Sequence, residues 1–277
     1  MDRAMDSAER DLEQLLSEQY DAFQAIREGW GEGESYFNWG YMTGLGQSLA
    51  QTQEQLVREV FAALAPRPED RIVDVGFGSG AQDLWAARHH AFARLDGFNI
   101  SQRQVEEAQR RADAAGLGER LRFHHQPAED MAVLADGSAD GLVAIECAPH
   151  FDRPRFYREA GRVLRPGARM VLADLCFAGA LAPVVRKGPP ELRRMGDLRG
   201  NQGAWAPFFE TIELRNINLQ TFAGCQRTVL LVLRSLTRVH DRAHRHHWLE
   251  LAKTSQIMSL GLLLGLIRYD LIVLERR

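Results

Sequence analysis

Three side chains in this sequence could move a proton or hold a polar ligand, and each sits at the end of an apolar run. His150 follows the run 139–145, Asp174 closes the run 168–174, and Asp74 stands just before Gly76-Phe77-Gly78-Ser79-Gly80. Histidine titrates near neutral pH, so His150 is a candidate general base. A neutral hydroxyl is a poor nucleophile until such a group takes its proton. Asp174 is a candidate to orient that imidazole and stabilise its charged form. The glycine-rich turn lets the backbone approach a small anionic or zwitterionic ligand, and the Asp74 carboxylate can hold an ammonium group.

These groups need a scaffold that brings strand ends together. Strands are expected at 71–75, 93–99, 120–124, 139–145 and 168–174. Helices are expected at 81–90, 101–115 and 153–164, the last ending at Arg165-Pro166-Gly167. This alternation predicts an α/β, Rossmann-like, doubly wound and mostly parallel sheet, with ligands at the carboxyl ends of the strands. Upstream, helical spacing appears over 6–28 and from Leu49 to Leu64, separated by the aromatic segment Tyr36-Phe37-Asn38-Trp39-Gly40-Tyr41. Downstream, 178–203 is rich in Pro, Gly and Arg and reads as a lid inserted after strand five. A strand is expected at 209–219, mostly helix over 222–265, and a final strand over 266–275 at the sheet edge. One integrated domain results. It comprises a helical cap with the aromatic segment (1–65), a ligand-binding core (66–177), a lid and substrate side (178–265) and a closing strand (266–277).

Composition narrows the classes. With 45% hydrophobic and 26% charged residues, the 277-residue chain supports a packed core. A net charge of -3 argues against a nucleic-acid binder, which needs a basic stripe for phosphates. The three cysteines, Cys147, Cys176 and Cys225, form no CxxC pair, so neither a disulfide framework nor a zinc site is expected. The polar, charged start does not read as a secretory signal, and the apolar run 257–267 is too short to cross a bilayer. A cytoplasmic protein without stable membrane association is the expectation, with homo-oligomer formation left open. His240, His244 and His247 share a helical face, and His124-His125 are adjacent. Both sets read as surface histidines, and no metal is expected.

The turn alone leaves the ligand undecided. Gly76, Gly78 and Ala81 fit the dinucleotide fingerprint G-x-G-x-x-G/A, which keeps a dehydrogenase open. Asp74 on the strand before the first glycine, and the long helical and aromatic stretch ahead of the motif, weigh against it.

Four ordered segments carry a more specific resemblance. These are Val73-Asp74-Val75-Gly76-Phe77-Gly78-Ser79-Gly80, then Leu95-Asp96-Gly97-Phe98-Asn99-Ile100-Ser101-Gln102-Arg103-Gln104-Val105, then Ala144-Ile145-Glu146-Cys147-Ala148-Pro149-His150-Phe151, and last Arg162-Val163-Leu164-Arg165-Pro166-Gly167 with Ala168 to Asp174. Together they resemble class I S-adenosylmethionine-dependent methyltransferases, in particular the small-molecule O-methyltransferases of natural-product metabolism, over roughly residues 36–175.

The resemblance implies roles. Gly76, Gly78 and Gly80 would admit the methionine part of S-adenosylmethionine, and Asp74 would face its amino group. Asn99 would take the ribose position, where the family usually carries Asp or Glu. Ile100 would pack on the adenine, with Gln104 on the ribose side. Pro127 stands where the family usually has Asp, which shifts adenine recognition to Ala128 and Glu129. Glu146, at the end of strand four, joins the cofactor set. Tyr36 and Tyr41 would offer aromatic faces to the sulfonium, and His150 with Asp174 would be the catalytic pair.

The implied reaction is methyl transfer to a hydroxyl of a partly hydrophobic small-molecule acceptor in secondary metabolism or antibiotic biosynthesis, such as a polyketide, glycoside or terpenoid. C-methylation of a small molecule or lipid chain stays open, as does a non-catalytic cofactor-binding scaffold or regulator.

Overall fold

The computed structural model describes residues 36–185, 187–188, 190–235 and 242–277. The expected helix over 6–28 lies outside them, as do the side chains of His240, His244 and His247. The first described helix, α1 (Leu49–Leu64), opens on a capping box in which Ser48 and Gln51 satisfy each other's backbone N–H. Leu56, Val57, Val60 and Phe61 bury its apolar face. It ends where Ala65 turns left-handed just before Pro66.

Strands and helices then alternate: β1 (Arg71–Val75), α2 (Ala81–His89), β2 (Arg94–Asn99), α3 (Gln102–Ala114), β3 (Leu121–His125), β4 (Ala139–Ile145), α4 (Arg153–Val163) and β5 (Leu164–Phe177). Short helices α5 (Ala182–Val185), α6 (Pro190–Met195) and α7 (Leu198–Trp205) occupy the lid region. After them come β6 (Phe209–Asn216), α8 (Asn218–Ser235), α9 (Arg242–Leu263) and β7 (Ile267–Arg276). The seven strands lie in the order β3-β2-β1-β4-β5-β7-β6. Pairings from β3 through β5 are parallel, and β7 runs antiparallel to both its neighbours.

Two expectations change. The final strand does not take the sheet edge: it sits between β5 and β6, and β6 takes the edge. Burial explains the order. Six consecutive residues of β7, from Tyr269 to Leu274, are buried, as a strand covered on both faces requires, while most of β6 is exposed or half-exposed. Strand five also continues past Asp174 to Phe177, so Asp174 lies within the ladder, paired with Asp270.

This topology fixes the site. Successive crossovers diverge between β1 and β4, which opens a crevice at the carboxyl ends of the strands. The glycine turn, Asn99 and Glu146 to His150 reach that edge, and Asp174 sits in β5 one residue past the last parallel pair, Ile145 with Ala173.

Candidate active site

A cavity of about 350 Å3 occupies the crevice. One part of its wall comes from the ends of β1 and β2 and the loop after β3: Gly76, Gly78, Asn99, Ile100, Gln104, Pro127, Ala128 and Glu129. Another comes from Glu146, Cys147, Pro149, His150 and Phe151 after β4. Arg194, Met195, Leu251, Thr254 and Met258 line it from the lid and α9.

The glycine turn is shaped by close packing. Gly76, Gly78 and Gly80 all have positive φ, at 68°, 60° and 72°. A Cβ on Gly76 would meet the Cys147 Cβ at 2.4 Å, and one on Gly78 would meet Phe37 Cδ2 at 2.8 Å. Gly80 stands outside the cavity lining. A Cβ there would meet the Ala108 Cβ at 2.7 Å, so this glycine seats α3 against the turn.

Asp74 is fully buried behind the turn and is likewise not a wall residue. Gln82 Nε2 donates to its Oδ2 at 2.5 Å, and the Asp83 carboxyl is its other side-chain partner. Burial pushes Asp74 up to about 6 and holds the equally buried Asp83 well above the usual carboxylate range, with repulsion from Asp74 adding to the effect. Asp74 and Asp83 thus form a buried acid pair in which burial favours protonation, of Asp83 the more strongly, a feature the sequence reading missed. Two acids separated by a whole glycine turn give no periodic signal.

At the end of β2, Ser101 caps α3 by accepting from Gln104 N at 3.2 Å, which brings Gln104 back over Asn99. Asn99 Oδ1 accepts from Ser101 N at 3.1 Å, and Asn99 Nδ2 donates to Gln104 Oε1 at 2.8 Å. The buried Gln104 Nε2 has no partner. An acidic residue here would offer acceptors. The amide pair instead presents a donor, which a buried site retains at a cost unless a ligand oxygen accepts from it.

The aromatic segment places different rings from those expected. Phe37 and Trp39 line the cavity, while Tyr36 and Tyr41 are buried away from it. Burial alternates along the segment, with Tyr36 and Asn38 buried and Phe37 and Trp39 half-buried. Gln53 Nε2 of α1 donates to the carbonyls of Tyr36 and Asn38, at 3.2 and 2.5 Å, and fixes which side faces inward.

His150 lies in a short turn, Ala148–His150, after β4. Burial, together with the charges of Arg194 and Arg153, pushes its pKa down to about 4, while Asp174 pulls it the other way. Arg194 Nη1 donates to the His150 carbonyl at 2.8 Å. Both oxygens of Asp174 are held by Arg153, with Nη1 to Oδ2 at 2.5 Å and Nη2 to Oδ1 at 3.0 Å, and Leu175 N also donates to Oδ1 at 2.7 Å. Asp174 thus acts on His150 by charge, while Arg153 and Leu175 N hold its carboxylate. Among the other histidines, His124 Nε2 pairs with Asp96 and His125 Nε2 bonds the Ile100 carbonyl. No metal-binding cluster occurs among the described residues.

The segments that build this crevice from β1 to β5 lie within a region that is similar to known proteins. A family model described as a methyltransferase domain matches residues 73–172. Over 202 residues the chain is 31% identical to ajmaline N-methyltransferase from Rauvolfia serpentina, covering 70% of this chain and 68% of that one. The chain belongs to the class I S-adenosylmethionine-dependent methyltransferases.

Another methyltransferase, erythromycin 3''-O-methyltransferase from Saccharopolyspora erythraea, is 30% identical over 184 residues, covering 65% of this chain and 59% of that one. The chain spans 49% to 59% of the length of the first curated relatives it matches. The methyltransferase fold itself is shared with the [4+2]-cyclase SpnF at a TM-score of 0.79, with 21% identity and coverage of 95% and 94%. Among the described residues, no helix is long and apolar enough to cross a membrane.

Proposed function

We propose that this methyltransferase family member moves the methyl group of S-adenosylmethionine to a hydroxyl of a small, partly hydrophobic natural-product acceptor. The observation that carries the reading is that His150 lines the same cavity as Gly76, Asn99 and Gln104. Base and cofactor residues open onto one space, and the apolar side chains of Phe151, Leu251 and Met258 line it.

The residues present fit the cofactor. Gln104 Nε2 is a buried donor on the cavity wall without a partner, suited to a ribose hydroxyl. Ile100, Ala128 and Glu129 supply the adenine side. Phe37 and Trp39 offer aromatic faces to the positive sulfur. When bound, S-adenosylmethionine supplies a methyl group on a sulfonium, a good leaving group.

His150 is neutral at neutral pH, the form that accepts a proton from the acceptor hydroxyl. Asp174 offsets part of the positive charge that His150 then carries, opposing the guanidinium groups of Arg194 and Arg153. The walls hold acceptor and base together and exclude water, which supplies much of the rate in a reaction of this kind.

The name of the erythromycin relative supports oxygen as the methylated atom and an antibiotic-type acceptor. The fold does not decide the chemistry, because a cyclase shares it. The test is incubation with methyl-labelled S-adenosylmethionine and a panel of hydroxylated polyketides, glycosides and terpenoids, read by mass spectrometry and NMR. Label on an acceptor oxygen supports the proposal. Label on carbon moves the assignment to C-methylation, and no label on any acceptor, with no binding of S-adenosylhomocysteine, removes it.

A further inference from the structure

Glu146 has a backbone φ of 59°, the left-handed region that a residue with a Cβ enters only under constraint. Among the described residues only Ala65, at a helix end, shares that feature without being glycine. The constraint aims the Glu146 side chain at two donors. Its Oε1 accepts from Trp39 N at 2.7 Å and from Tyr269 Oη at 2.6 Å. Tyr269 is fully buried, and burial together with the Glu146 charge holds its hydroxyl well above the usual tyrosine range, so it stays a donor.

The other side of the same stretch is held by α8. A Cβ on Gly224 would lie 1.7 Å from the Trp39 carbonyl oxygen, so only glycine admits this approach. Met42 N donates to the Gln220 carbonyl at 3.1 Å, three residues further along the segment. Trp39 is thus bound through its N–H by the end of β4 and pressed through its carbonyl against α8, with its ring on the cavity wall.

We infer that Glu146 is a positioning residue: it sets the aromatic roof, Phe37 and Trp39, over the cofactor half of the cavity, and Gly224 is the seat against which that roof is set. Glu146 acts on the cofactor through Trp39. The part of this inference that concerns cofactor affinity rests on the S-adenosylmethionine reading above, while the part that concerns the roof does not.

The test pairs hydrogen–deuterium exchange over residues 36–45 with calorimetric titration of S-adenosylhomocysteine. It compares the natural chain with Glu146→Ala, Glu146→Gln, Tyr269→Phe and Gly224→Ala. Glu146→Ala and Gly224→Ala should both speed exchange over 36–45 and weaken binding roughly ten- to hundredfold, as loss of a buried charge-assisted hydrogen bond does. Glu146→Gln keeps an acceptor oxygen and should stay near the natural chain. Tyr269→Phe should shift both readouts in the same direction by less, and it carries the test if Glu146→Ala does not fold. Weakened binding in Glu146→Ala with exchange unchanged would mean direct contact with the cofactor and would overturn the inference. So would a Gly224→Ala variant unchanged in both readouts. If the natural chain binds no S-adenosylhomocysteine, the cofactor reading fails, and the exchange rates alone still decide the role of Glu146.

Discussion

Arg153 and Asp174 form a bidentate ion pair, Nη1 to Oδ2 at 2.5 Å and Nη2 to Oδ1 at 3.0 Å, with side chains only 5% and 3% exposed. The same guanidinium donates through Nε to the Arg194 carbonyl at 2.9 Å and through Nη2 to the Leu175 and Met195 carbonyls at 3.3 and 3.4 Å. One side chain at the start of α4 therefore ties the lid to the end of β5. Arg194, held in that way, donates in turn to the His150 carbonyl. Lid, base and sheet end are joined through Arg153.

Removing Arg153 strands the Asp174 charge in the interior. Arg153→Met should cost about 3–5 kcal/mol in urea unfolding, the range for breaking a buried pair from one side. The double variant Arg153→Met/Asp174→Leu, which removes both charges, should be less destabilised than the single one. A loss below about 1 kcal/mol in the single variant would show that the pair contributes little.

His150 sets the acid side of the activity profile. Its pKa is pushed down to about 4 by burial and by Arg194 and Arg153, so the neutral, proton-accepting form persists well below pH 6.5. Asp74, pushed up to about 6, lies behind the glycine turn, so the profile is taken at saturating cofactor. Under that condition kcat/KM for the acceptor should stay flat from pH 8 down to pH 5 and fall only below it. A break near pH 6.5 that disappears in His150→Ala would contradict the buried setting of this histidine.

The acid pair behind the glycine turn makes stability fall as pH rises. Asp74 and Asp83 bind protons more tightly folded than unfolded, so the stability they contribute is full below about pH 4, the ordinary carboxylate pKa. It is lost as pH rises, through about 6 for Asp74 and further for Asp83, at no more than about 1.4 kcal/mol per pH unit for each group. Asp83→Asn copies the neutral acid and removes its share of the slope. Urea unfolding at pH 5 and pH 8 should show the Asn variant gaining on the natural chain as pH rises. A pH-independent difference between the two would rule out a protonated Asp83.

Much of this was legible in the sequence because it depends on local pattern. Apolar runs bounded by Gly, Pro and polar residues gave the first five strands. The turn at 76–80 placed the ligand end of the sheet. The rest depends on partners distant in the chain. Aromatic rings occupy both sides of 36–41, so nothing local says that Phe37 and Trp39 face inward. Gln53 of α1 decides it. Arg153 reads as an ordinary first-turn residue, and its pairing with Asp174 appears only once β5 and α4 are packed. The exchange of edge position between β6 and β7 follows from burial on both faces of β7, and strand alternation does not report it.

The most direct measurement is single-turnover transfer of a labelled methyl group from S-adenosylmethionine to an accepted substrate by the natural chain and by His150→Ala, with S-adenosylhomocysteine affinity measured on the same samples. A base role for His150 in an S-adenosylmethionine site predicts affinities within about threefold of each other and a loss of transfer of about a hundredfold or more in His150→Ala. Transfer at the natural rate in that variant, or a natural chain that binds NAD and not S-adenosylhomocysteine, would contradict it.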